Sequence, residues 1–456
     1  VRIDEGEKRQ RRFSLLYRNL REKEISAGKL KKMLLEKHHL DTHNEPHLIR
    51  HQKRLDYFMA EISGIEEILQ KLIDFQIAIP SWALGAGGTR FSRFSIGGEP
   101  RSLADKIEDV GLLHALNRSS GAISLHIPWD IPEDAGATRA LAAQHGLTFD
   151  AVNSNTFQDQ PGQALSYKFG SLQHTDPAVR RQAVEHNIAV IKHGVELGSE
   201  SITVWLADGS CFPGQLNFRK AFQNTLEGLT EIYAALPPHW KMFVEYKAYE
   251  PNFYSMTVGD WGQSLLYAQK LGPKAYTLVD LGHHLPNANI EQIVALLLLE
   301  GKLGGFHFND SKYGDDDLTV GSINPYQLFL IFNELVDGMD ARGMNHARDL
   351  GWMIDASHNV KDPLEDLLQS VEAIAIAYAQ ALLIDRPALE HARQSNDVAR
   401  AQEILQAAYR TDVRPLVAEA RLRAGGALEP MAMYRELNVR ECLIRERGVK
   451  TVATGL

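Results

Sequence analysis

The chain has 456 residues, 44% hydrophobic and 23% charged, with a formal net charge of −9. This is ordinary globular composition, enough for one large domain with appendages or for two or three average ones, and no apolar run of about 18 residues exists to form a membrane span. Cys211 and Cys442 are too few for a disulfide framework, and the opening Val1–Gly6 carries no apolar signal core. A reducing cytoplasm is the expected compartment, and a start at Val rather than Met reads as a trimmed chain.

The charge is uneven. Residues 1–60 hold 15 Lys+Arg against 9 Asp+Glu, a balance of +6, leaving 34 against 49, or −15, for the rest. A basic arm on an acidic body raises the question of nucleic acid. The arm lacks interleaved aromatics, however, and its charges alternate in sign, as in Arg21-Glu-Lys-Glu24. It reads as a solvated helical face, with no nucleic acid and no membrane as partner. Apolar residues at spacings of three and four (Leu30, Met33, Leu34; then Ile62, Ile65, Ile68, Leu69, Leu72) predict helix through residue 74. His38, His39, His43, His47 and His51 cluster there, but no Glu sits between His47 and His51 in the metalloprotease manner. They read as polar surface.

From residue 75 the texture changes to short apolar or alternating runs, each followed by a helical stretch. The runs are 76–82, 122–129, 147–153, 201–207, 242–247, 276–281, 304–308 and 352–355. Asp176-Pro177 opens a helix that Gly198 closes, Asn289 opens one that Gly301 closes, and Asp362-Pro363 opens another. Eight strands alternating with helices over about 285 residues predict a (β/α)8 barrel. The rival, a doubly wound sheet, needs a Gly-rich phosphate turn at a helix start. Gly85-Ala-Gly87-Gly88 is a loose match, and the next helix starts too late, near Ser102. The expected division is a helical arm over 1–74, a barrel over 75–361, and over 362–456 the last barrel helix with a helical extension. The Gly-, Arg- and Phe-rich connection 83–101 reads as a binding loop, and the extra tail helices as packing on the barrel or a neighbouring subunit.

Barrel chemistry gathers at the C-terminal ends of the strands, and here the later four are loaded. Strand five ends Val244-Glu245-Tyr246-Lys247, strand six Val279-Asp280-Leu-Gly-His283-His284, strand seven at His307, strand eight Met353-Ile354-Asp355. After strand seven comes a Gly-hinged loop, Gly314-Asp315-Asp316-Asp317, in which Asp315 and Asp317 can turn toward one point near His307. Oxygen with some imidazole suits Mn2+, Mg2+ or Co2+, and no closing Glu makes it a calcium loop. Glu245, Asp280, Asp315, Asp317 and Asp355 bring −5 into one mouth with Lys247 as the evident cation. Crowded carboxylates raise one another's pKa, and two divalent cations nearly neutralise them.

These stretches carry a resemblance. Glu245-Tyr-Lys247, Val279–His284, Gly304–Asp317 and Ile354-Asp-Ala-Ser-His358 resemble L-rhamnose isomerases of the broad-specificity bacterial type, in the xylose isomerase-like superfamily. Ile79-Pro-Ser-Trp82, Gly87-Gly-Thr-Arg90-Phe91, Ser124–Asp130 and Thr203-Val-Trp205 extend the match, which covers about residues 65–425 and leaves the first 60 outside it. The resemblance implies one structural metal on Glu245, Asp280, His307 and Asp355. It implies a second, catalytic metal on Asp280, His283, Asp315 and Asp317, with Asp280 bridging. It implies two divalent cations per subunit, Mn2+ first with Co2+, Mg2+ or Zn2+ as substitutes. It also implies a homotetramer whose loop after strand one, with Arg90 and Phe91, reaches a neighbour's site.

The expected activity is interconversion of L-rhamnose and L-rhamnulose, and of other aldoses, with a hydrogen moved between C1 and C2 as a metal-assisted hydride. Catalytic roles fall to Lys247, which would steady negative charge on oxygen, to Asp355, and to His126, which would open the ring or orient O5. Trp82, Trp129, Trp205, Phe91 and Phe157 would wall the sugar. The rivals are a metal-dependent hydrolase or endonuclease, a sugar epimerase or xylose-type enzyme, and a sugar-binding protein without catalysis. An endonuclease would want a basic rim, and a binding protein would have lost ligands, of which none is missing.

Overall fold

A computed structural model describes residues 46–84, 95–206, 211–250, 256–356 and 360–449. Arg90, Phe91, His38, His39, His43 and His358 lie outside these residues. Eight parallel strands, β1 (Ala78–Pro80), β2 (Ala122–Ile127), β3 (Thr148–Ser154), β4 (Ser201–Trp205), β5 (Lys241–Glu245), β6 (Ala275–Asp280), β7 (Leu303–Phe308) and β8 (Gly351–Ile354), close in sequence order into a barrel. The seam is β1 on β8, registered at Ala78↔Met353. Each of the eight predicted runs forms a strand. The first is trimmed from 76–82 to three residues because Ser81–Ala83 turn into a 3-10 helix.

Helices follow the strands: α3 (Leu103–Asn117), α4 (Ala135–Gln144), α5 (Pro177–Leu197), α6 (Phe218–Ala234), α7 (Trp261–Leu271), α8 (Ile290–Leu299), α9 (Pro325–Ala341) and α10 (Pro363–Leu382), after α1 (Pro46–Glu61) and α2 (Ile65–Asp74). Their ends follow the sequence signals. Asp176 Oδ1 accepts from Ala178 N, Asn289 Oδ1 from Gln292 N and Asp362 Oδ1 from Leu364 N, and Gly198 ends α5 at φ 86°. Each such cap is worth about 1 kcal/mol. Two glycines let the strands close: a Cβ on Gly305 would stand 2.5 Å from Gly351 O, and one on Gly304 2.6 Å from the Phe243 ring. Ala151, Phe243 and Leu278 fill the barrel beneath its mouth.

The chain continues through α11 (Arg386–Gln394), α12 (Val398–Arg410), α13 (Arg414–Ala424), α14 (Pro430–Glu436) and α15 (Val439–Arg447). The apolar stripe of α2 (Ile65, Leu69, Leu72) is buried in the main core, and α2 packs on α13 and α10. His51 Nε2 lies 3.0 Å from Glu419 Oε2 and His47 Nδ1 3.8 Å from Glu429 Oε1, so both histidines meet carboxylates of the C-terminal extension. Among the described residues no single helix is long and apolar enough to cross a membrane.

Candidate metal and sugar site

Strand alternation brings Glu245, Asp280, His307 and Asp355 to the C-terminal mouth of the barrel. Their ligand atoms form one group within 4.8 Å of one another, and those of Asp280, His283 and Asp315 form a second. His307 Nδ1 stands 3.1 Å from Glu245 Oε1 and 3.5 Å from Asp355 Oδ2. His283 Nε2 stands 3.1 Å from Asp315 Oδ1. Asp280 belongs to both groups. Its Oδ1 is held by Gly282 N at 2.8 Å and Asn309 Nδ2 at 2.9 Å. Its Oδ2 is buried without a hydrogen-bond partner, 3.8 Å from His307 Nδ1 and 3.9 Å from His283 Nε2.

Electrostatics says what this geometry lacks. Burial, reinforced by Asp355 and Glu245, pushes Asp280 well above the usual carboxylate range. Burial and then Asp355 do the same to Glu245, with Lys247 opposing. A bare carboxylate oxygen in such a place calls for a cation. Carboxylates with one imidazole per group suit a hard or borderline divalent ion, so the residues present fit metal ions.

The loop after β7 is shaped to deliver Asp315. Asp310 and Leu318 exchange backbone hydrogen bonds at 3.0 Å, closing the loop, and Asp315 N donates to Gly282 O at 2.9 Å. Asp315 and Asp317 both take left-handed conformations, at φ 52° and 49°, a strain that persists where surroundings impose it. Asp317 is buried and close enough to raise the pKa of Asp280, but the second ligand group does not include it. Asp316 turns away, its carboxylate accepting from Lys312 N and Tyr313 N. Lys247, 2% exposed, is ion-paired with both Asp315 and Glu250 and stands 5.2 Å from the Trp205 ring centre.

The other side of the mouth is aromatic. Ring centres run from Trp82 to His126 (5.2 Å), His126 to Trp129 (4.9 Å), Trp129 to Phe157 (6.4 Å) and Phe157 to Trp205 (4.6 Å). Trp205 then lies nearly parallel to His283, at 5.9 Å and 9°. Trp82 Nε1 donates to Asp355 Oδ1 at 2.8 Å, tying the wall to the acidic cluster. Burial pushes the His126 imidazole down to about 3, keeping it neutral. Among the described residues its ring nitrogens meet no side-chain partner, a backbone contact with Ser154 apart, and Trp205 Nε1 is buried with no hydrogen-bond partner.

No family model matches the chain. Curated relatives do. A probable sugar isomerase of Rhizobium meliloti (strain 1021) is 54% identical over 383 residues, 84% of this chain and 89% of that protein. A probable sugar isomerase of Mesorhizobium japonicum is 53% identical over 394 residues, 86% and 90%. The chain belongs to this sugar isomerase family. Solved structures with a similar course include an L-ribulose 3-epimerase, 14% identical over 71% of this chain and 98% of that one at a TM-score of 0.47. A 3-keto-D-glucoside 4-epimerase from E. coli covers 66% and 98% at 12% identity and the same TM-score. At those values the likeness carries no argument about this isomerase-family chain.

Several residues around the site had no role in the sequence reading. Asn309 follows His307 by two positions and so returns to the same side of the chain, where it anchors Asp280 Oδ1 and reaches Asp355 O at 3.3 Å. Glu250 shares Lys247 with Asp315. Tyr246 OH meets His284 Nε2 at 2.6 Å, which turns His284 away from the ligand groups although it adjoins His283. Parity along the strand could have found Asn309. Glu250, the i+3 neighbour of Lys247, carries no such signal because it lies past the end of β5, where strand parity no longer applies.

Proposed function

We propose that the protein is a metal-dependent aldose–ketose isomerase that interconverts L-rhamnose and L-rhamnulose and acts on further aldoses. Two divalent cations per subunit, Mn2+ foremost, are assigned to Glu245, Asp280, His307 and Asp355 and to Asp280, His283, Asp315 and Asp317. The observation that carries the reading is the partnerless Asp280 Oδ2 between two ligand groups, in a chain more than half identical to proteins named as sugar isomerases. The choice of rhamnose rests on the motif resemblance. We also propose a cytoplasmic homotetramer, with residues 75–361 as the catalytic barrel between an arm over 1–74 and an extension over 362–456.

Cations bound there supply Lewis-acid polarisation of sugar oxygens and the charge balance that the buried carboxylates need. The chain does the rest. Trp82, Trp129, Phe157 and Trp205 offer apolar faces to the sugar carbons and keep water out. His126, neutral at working pH, trades hydrogen bonds with a sugar hydroxyl or the ring oxygen during opening. Trp205 Nε1 is a second such donor. Glu245, Asp280, Asp315 and Asp355 belong to the ligand groups, Asp317 is assigned above to the second cation, and Glu250 is paired with Lys247, which favours a hydride shift over an enediol route needing a carboxylate base. In that shift the C2 hydrogen moves with its electron pair to C1, and the O2 proton ends on O1. Lys247 holds Asp315 in place and lends positive charge to the region where oxygen becomes anionic.

The test strips the protein with chelator, restores Mn2+ and follows ketose formation from L-rhamnose beside a panel of aldoses. Mn2+-dependent conversion is the expected result. Metal binding with no aldose converted would bring forward the metal-dependent hydrolase reading, and C3 or C4 inversion the epimerase one.

A further inference from the structure

Behind the aromatic wall lies a buried ion pair. Lys106 Nζ on α3 sits 2.7 Å from Asp130 Oδ1, and both side chains are 2% exposed. The other oxygen of Asp130 accepts from Ser81 Oγ and, at 2.9 Å, from His126 N. Asp130 N in turn donates to His126 O at 3.0 Å. The tight 126–130 turn thus has His126 at one end and Trp129 just before the other, and Ser81 immediately precedes Trp82. Three rings of the wall hang from one carboxylate.

A pair of this kind adds little stability over apolar side chains of the same volume, because both charges must be stripped of water. What it does supply is direction. A carboxylate with both oxygens engaged fixes the backbone on either side of it, and ring placement within a fraction of an ångström matters when a sugar must be oriented.

We propose that Asp130, held by Lys106, is a positioning residue for the sugar. It sets Trp82, His126 and Trp129 against the substrate, on the side of the mouth across from the ligand groups of β5–β8. This rests on the isomerase reading above.

The experiment compares Asp130→Asn, Lys106→Met and the milder Ser81→Ala with the wild type, all reloaded with Mn2+. It reads KM and kcat on L-rhamnose or the aldose best converted, bound metal, and the midpoint of tryptophan fluorescence change as that sugar is titrated. For Asp130→Asn the expected result is a KM raised about tenfold, the loss of one good contact, with kcat within about threefold. The fluorescence midpoint moves with KM, metal content is unchanged, and Ser81→Ala shows a smaller shift in the same direction. An unchanged KM and midpoint, with activity lost only in proportion to unfolded protein, overturns the proposal. If Asp130→Asn does not fold, Ser81→Ala decides by the same criterion. Failure of the wild type to convert any aldose counts against the isomerase reading instead. Equal fluorescence midpoints for wild type and variants would still overturn the positioning role.

Discussion

The two halves of the barrel mouth solve opposite problems with the same strand geometry. Strands β5 to β8 present His307 among Glu245, Asp280 and Asp355, carboxylates that repel one another, and among the described residues Asp280 Oδ2 has no hydrogen-bond partner. Strands β1 to β4 and their loops present Trp82, His126, Trp129, Phe157 and Trp205, which pack ring to ring without net charge. One half gathers buried carboxylates that could hold cations. The other packs ring on ring, and among its described rings Trp205 Nε1 and the His126 nitrogens are the polar atoms turned to no side chain. A sugar placed between them would meet polarising charge on one side and an apolar face on the other.

The comparison breaks most sharply at Asp280. Replacing it with Asn should lower turnover by about a thousandfold or more and remove metal from both groups; near-normal kcat would sink the bridging assignment. Lys247→Met comes next, because it frees Asp315. We expect about a hundredfold loss of kcat with weaker metal retention at the second group, the usual scale for a residue orienting a ligand. Intact metal content with lowered kcat would place the lysine's role on substrate oxygen alone. On the apolar side, Trp205→Phe should raise KM about tenfold through the lost indole N–H and leave metal content alone. Loss of metal there would show that the halves are not separable.

Stability effects are smaller. Chelation should lower the melting temperature by a few degrees, since ligand at a hundredfold over Kd contributes about 2.7 kcal/mol; coincident melts with and without Mn2+ would count against the acidic half needing its cations. His126 gives a pH signature of the other half. Its folded pKa, about 3, lies below the unfolded value of 6.5, so the unfolded chain binds the proton first. Stability from this group is full above pH 6.5 and falls as pH drops toward 3, by about 2 kcal/mol at pH 5. His126→Phe should flatten that acid limb in denaturant titrations at pH 5 and 7, and an equal slope in both proteins would refute it.

The barrel was legible because alternation, helix caps and strand-end acids are local signals. Asp176, Asn289 and Asp362 cap helices where their side-chain chemistry says they should. Long-range pairing was not legible. Lys247 looked like a free ammonium for substrate oxygen, yet it is shared by Glu250 and by Asp315, 68 residues away. Asp315 and Asp317 share a spacing that suggests one shared direction, but both take left-handed turns that spacing does not announce, and it is the Asp315 ligand atom that gathers with those of Asp280 and His283. The apolar stripe of α2 announced a buried face without saying that α13, some 350 residues on, would cover it.

The most direct test of the account is a count of tightly bound Mn2+ per subunit in wild type and Asp280→Asn by titration calorimetry with elemental analysis. Two ions in the wild type, one for each ligand group, and neither at comparable affinity in the variant is the predicted result. A single ion in the wild type, or two retained in the variant, would contradict it.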